Sequence, residues 1–155
     1  MTFSCINNFI NYINTIIDDS QVIKYDNYKI KHLTCKCIPK LSIDNYIRQI
    51  LYSGIIDKNN IDGVILYTIN MLKYLKNKNI NLNSYNCHRI ILTLLKLSSK
   101  IHEDYYYSNS YWAKISGTTK KDINIMELVI LELLNYDLHI IISQEKALSI
   151  YKSIY

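Results

Sequence analysis

Two charged side chains of this 155-residue chain stand where an apolar residue is expected. Lys100 lies near the end of an apolar helical pattern that begins at Tyr85. Glu127 lies inside the apolar stripe of the next long pattern, one turn from Ile123 and Ile130. A buried ion is costly unless it is paired, so two of opposite sign on neighbouring helices have two readings. They form an internal ion pair that only fixes helix packing, or they offer a polar site to a partner. Catalysis has nothing to stand on. No His, Cys or Ser nucleophile is arranged with them, and there is no Gly-rich phosphate loop, paired-carboxylate motif or zinc signature. The chain is therefore expected not to be an enzyme and to carry no catalytic residues and no cofactor. His32, Cys35 and Cys37 are of metal-ligating type, but no second ligand pair follows at zinc spacing, so no metal site is expected. Cys5 and Cys87 complete a set without framework spacing, which reads as reduced thiols of a cytoplasmic or nuclear protein.

The elements that must position these residues are helices. Three Gly and one Pro are too few for the turns of an all-β or parallel-sheet fold, so the fold class is all-α. Phe3, Ile6, Phe9, Ile10, Ile13 and Ile17 predict an amphipathic N-terminal helix. Residues 18–40 are mixed in character, and Pro39 marks a boundary between an N-terminal helical extension (1–40) and the main domain (41–155). Ser42 is placed as N-cap of a helix through about Ser53, with Ile43, Tyr46, Ile47, Ile50 and Leu51 on one face and Gly54 closing it. A second helix, about 60–76, turns Ile61, Ile65, Leu66, Ile69, Leu72 and Leu75 inward, and Asn83 or Ser84 caps a third. That third helix (about 85–101) is apolar nearly all round, through Ile90, Ile91, Leu92, Leu94, Leu95, Leu97 and Ile101, and belongs in the middle of the domain. Ser98 and Ser99 allow a neighbour to approach it closely. A short helix, 108–116, stops at Gly117. Thr119 then caps a fifth, with Asp122 completing a weak capping box and Ile123, Met126, Ile130, Leu133 and Leu134 as its stripe. Ser143 opens a last short helix.

The formal charge of +5 is scattered, with no run dense enough for a nucleic-acid surface, so no nucleic-acid partner is expected. Apolar runs break too early to span a membrane, and the Asn-interrupted amino terminus carries no secretory signal pattern. The 15 Tyr go with an Asn-, Ile- and Lys-rich composition of the kind AT-rich codons specify, so they are not by themselves a binding signature.

The order of residues from Ser42 onward resembles the cyclin box, most closely that of the P-type (phosphate-signalling) cyclins. Those look like N-x-x-R in the third helix, then an acidic pair, aromatics and Asn, then Y-A-K-x-G-G. This chain has Asn86 and Arg89, Glu103 and Asp104, Tyr105 to Tyr107, Asn109, and YWAKISG beginning at Tyr111. Cyclin boxes end the central helix in a Lys and carry a Glu on the fifth, matched here by Lys100 in LSSKIHED and Glu127 in INIMELVILELL. The resemblance implies a five-helix regulatory subunit that binds and activates a cyclin-dependent kinase as a heterodimer, docking its C-helix and activation segment. Lys100, Glu127, Asp104, Glu103 and Lys96 would be the kinase-binding residues. Asn86, Arg89, Asn109 and Tyr111 would hold the link. Kinase substrates or an inhibitor are further candidate partners.

Asp104 has two readings: partner of a kinase Arg that a phosphothreonine normally neutralises, or N-cap of the fourth helix. Tyr105 to Tyr107 are a docking patch or ordinary packing. The chain departs from the family where cyclins pair a buried Arg on the first helix with an Asp on the second. Gln49 and Leu72–Lys73 stand there, so both partners are lost together, and Arg48 is read as solvent-facing. The docking motif for Arg-x-Leu substrates is not recognisable. The alternative function is a cyclin-fold scaffold or transcription-machinery adaptor that activates no kinase.

Overall fold

The computed structural model describes residues 2–20 and 28–138, and every regular element among them is helical. In chain order these are α1 (Thr2–Ile16), α2 (Tyr28–Lys31), α3 (Ile43–Tyr52), α4 (Ile61–Asn77), α5 (Cys87–His102), α6 (Asn109–Ser116) and α7 (Lys120–Leu133). The helix expected from Ser143 lies outside the described residues.

Helix α5 is the centre because it has no polar face to give to water. Ile90, Ile91, Leu92, Leu94, Leu95 and Leu97 are all buried, and α3, α4 and α7 pack round it. The small residues near its end let α4 in: Ser98 Oγ lies 2.9 Å from Thr68 Oγ1, whose hydroxyl also lies 2.9 Å from the Val64 carbonyl. One turn away, Gly63 is a packing requirement. A Cβ there would collide with the His102 imidazole, whose ring meets Tyr67 edge-on at 5.2 Å between centroids.

The caps follow their local signals. Ser42 Oγ accepts from the Asn45 amide at 3.2 Å, and the chain leaves α3 through Gly54 at φ +82°. Ser108 caps α6, which closes at Gly117 (φ +70°). Thr119 and Asp122 cap α7 reciprocally: the Asp122 amide donates to Thr119 Oγ1 at 3.0 Å, and that hydroxyl donates back to the carboxylate at 2.7 Å.

Several expectations are corrected. Helix α5 starts at Cys87, not 85, because Asn83 Oδ1 takes the Tyr85 and Asn86 amides into a turn that delays it. Phe3 is 66% exposed, since α1 meets its neighbours only from Cys5 onward; Ile101 is 39% exposed at the last turn of α5. Leu66 and Leu133 are only half-buried, and Val64 and Met71 fill the α4 interface more completely. Arg48 does not simply face solvent: its guanidinium donates to Asn7 Oδ1 at 2.8 Å and ties α3 to α1. Gln49, where the family keeps a buried Arg, donates to the Ile115 carbonyl at 2.8 Å. Ile6, Phe9, Ile10 and Ile13 of α1 belong to the same buried cluster as α3, α4, α5 and α7.

Candidate functional site: two lysines on one carboxylate

Lys96 and Lys100 are one helical turn apart and share a face of α5. Across from them, Glu127 projects from α7 between the buried Ile123 and Ile130. Both ammonium groups reach it. Lys96 Nζ is ion-paired with Oε2, and Lys100 Nζ with Oε1 at 2.6 Å. From the start of α6, Asn109 Nδ2 donates to the same Oε2 at 3.2 Å and to Asn124 Oδ1 at 2.6 Å, so three helices converge on one carboxylate.

The members differ in their access to water. The Lys96 side chain is 0% exposed, Glu127 12% and Lys100 28%. Burial pulls the Lys96 ammonium down to about 8, against the upward pull of Glu127 and with a further push from Lys100. Burial alone would raise the Glu127 carboxyl, but the two lysines outweigh it and hold it below the ordinary carboxylate value. The cluster is thus an internal salt bridge on its inner side and an accessible cation on its outer side. Over Lys100 lies the Tyr106 ring, 5.4 Å from Nζ to centroid.

Glu103, expected in the same site, is held in a different place. It is buried, accepting from the Asp57 amide at 2.7 Å and, through its other oxygen, from Ser99 Oγ at 2.6 Å. It fastens the loop between α3 and α4 to the end of α5. Asp104 is exposed and does not cap α6, a role that Ser108 fills. Tyr105, Tyr106 and Tyr107 are 93%, 56% and 46% exposed, so burial accounts for little of Tyr105 and for only part of the other two. With Gly54, Ile55, Asp57 and Glu103 they border an open cleft of about 390 Å³. Tyr107 stacks on Tyr111 at 4.5 Å between centroids, which anchors the link to α6. The remaining link residues lie at the far end of α5. Asn86 is buried, donating to the Asn81 carbonyl at 3.0 Å and accepting from the Asn83 amide at 2.8 Å. Arg89 donates to the His32 carbonyl at 2.9 Å and holds the segment before α3 in place. Among the described residues, no group of three or more His, Cys, Asp or Glu side chains could hold a metal ion.

Sequence reasoning pairs Lys100 with Glu127 but gives Lys96 no partner, and it misses Asn124 altogether. A signal for Lys96 exists: a Lys between Leu95 and Leu97 on a helix apolar all round, four residues from Lys100, must point inward beside it.

A central apolar helix wrapped by others, with a Lys–Glu pair at its end and an exposed aromatic link beside it, is an all-helical arrangement consistent with a cyclin box. Residues 12–138 match the family model for Cyclin, and the chain belongs to that family. It is 29% identical to Cyclin-U2-1 of Arabidopsis thaliana over 120 residues, covering 74% of this chain and 51% of that protein. It is 31% identical to Cyclin-U4-2 of the same plant over 106 residues, 68% of this chain and 48% of that one. It is 27% identical to the PHO85 cyclin-like protein psl1 of Schizosaccharomyces pombe over 95 residues, 61% and 39% of the two chains. The chain thus spans about half the length of the curated relatives it matches.

Proposed function

We propose that this chain is a regulatory subunit that binds and activates a cyclin-dependent kinase, docking the kinase C-helix and activation segment. The observation that carries the reading is Lys100, held at the end of the central helix by Glu127, which Asn109 also braces, yet partly open to solvent. Family membership and the likeness to a PHO85 cyclin-like protein support a kinase as the class of partner. A rigid helical face lowers the ordering cost of docking. Such an interface would bury on the order of 1,500 Å², with exposed Ile101 and Tyr106, which follow Lys100 in sequence, and exposed Leu128, which follows Glu127, supplying apolar area. The subunit contributes differential binding energy and no reacting group: it favours the kinase conformation in which the active-site Lys–Glu pair is complete. Asp104, exposed ahead of the tyrosines, is the group available to a kinase Arg in the activation segment.

The test is co-purification of wild type and Lys100→Ala from the native cells, followed by a histone-type phosphorylation assay. A cyclin-dependent kinase recovered active with wild type, and lost with Lys100→Ala, is the expected result. Equal recovery with both forms, or a kinase recovered without activity, favours the scaffold alternative.

A further inference from the structure

The cluster at the end of α5 holds two cations and one anion, and the excess charge falls on its outer member. Lys96 cannot release Glu127, because its ammonium has no access to water and a buried ion without a counter-charge is strongly disfavoured. Lys100 can. It is partly exposed, shares a carboxylate already neutralised from the inside, and has only an aromatic ring above it. The carboxylate's other hydrogen-bond donor, Asn109, is a neutral amide that also donates to Asn124. Among the described residues no second carboxylate comes within salt-bridge distance of either lysine. With one lysine on Glu127 the lip of the site would be neutral and would suit uncharged backbone groups of a partner. With two lysines it is cationic.

Resting on the kinase-docking reading above, we infer that the partner segment seated at Lys100 carries an acidic side chain that completes the cluster as two lysines and two carboxylates. Lys96 is then a specificity determinant without touching the partner. It neutralises Glu127 from below and leaves the charge of Lys100 to be matched from outside. Coulomb attraction of this kind is screened by salt and acts on both association rate and register.

The experiment titrates the co-purified kinase with wild type and Lys96→Met at low and moderate ionic strength. Lys96→Met restores a neutral Lys100–Glu127 pair and removes a buried ion, so it is expected to fold; circular dichroism checks this. Wild type should bind roughly tenfold more tightly than Lys96→Met at low salt, and the difference should shrink as salt rises. A second arm pairs Lys100→Glu with carboxylate-to-Lys substitutions on the kinase docking segment, where one substitution should restore binding. If wild type and Lys96→Met bind alike at every ionic strength and no kinase substitution rescues Lys100→Glu, the partner uses uncharged groups and this inference falls, while kinase docking stands. If wild type binds no kinase, both fall together.

Discussion

Glu103 and Glu127 are both acids withdrawn from water near the end of one helix, and they are held in opposite ways. Glu103 is satisfied mainly by neutral donors, the Asp57 amide and the Ser99 hydroxyl, with Asn60 Nδ2 more distant at 3.4 Å. Glu127 is satisfied by two cations, one sealed and one open. A carboxylate held by hydrogen bonds from the fold's own backbone has nothing left to offer and serves as a brace. A carboxylate shared with a surface lysine sets the position and charge of a group that faces outward. Residue type and position in the sequence place both in one acidic and basic neighbourhood, and only the donor set separates them.

The sharpest way to break this contrast is Glu127→Gln. It strands the Lys96 ammonium in the core, so a loss of about 3–5 kcal/mol is expected in urea unfolding. Adding Lys96→Met should recover much of that loss. A stable single mutant would show that Lys96 does not depend on Glu127. Glu103→Ala should cost less, about 1–3 kcal/mol, by orphaning the Asp57 amide and the Ser99 hydroxyl; faster amide exchange at Asp57 would locate the damage. Gly63→Ala drives a methyl into the His102 ring and is expected to cost about 1–3 kcal/mol. NMR cross-peaks between the Tyr67 and His102 rings should weaken as the imidazole is pushed aside.

Acid and base should also test the Lys96–Glu127 pair. The native Glu127 carboxyl titrates below its unfolded value, so its contribution is complete above the ordinary carboxylate range and fades as pH falls through its lowered value. Lys96 acts in the same direction but in a higher pH window, as a penalty relieved by losing its proton. Its native value of about 8 lies under the ordinary lysine value of 10.5, so between the two the unfolded chain binds more protons, and stability due to this group rises with pH across that window. The difference in denaturant midpoint between wild type and Lys96→Met should shift in favour of wild type as pH rises across that window, since buried Cys87 and Tyr46, whose raised values act oppositely, are common to both.

Much of the frame is legible in the sequence because its signals are local. The five inward residues of α3, the caps at Ser42 and Thr119, and the stop at Gly117 each need only their near neighbours in sequence. The start of α5 is not legible in this way, because Asn83 competes for amides that a helix would use. Ile101 and Phe3 follow the apolar period into turns where, among the described residues, they stay exposed. In the site, Lys100 and Glu127 stand out as charges in apolar stripes. The separation of Glu103 from Asp104 is not readable, since it depends on which way the chain turns after α5 and on a loop 46 residues away. The two-to-one stoichiometry of the cluster likewise depends on the register of α5 against α7.

The most direct test sets Lys100→Ala beside Glu103→Ala, measuring kinase affinity by calorimetry and unfolding stability for each. The account predicts that Lys100→Ala keeps its stability within about 1 kcal/mol and loses kinase binding. It predicts that Glu103→Ala loses stability and, while folded, keeps most of its affinity. Binding that survives Lys100→Ala, or that follows Glu103 at unchanged stability, would contradict it.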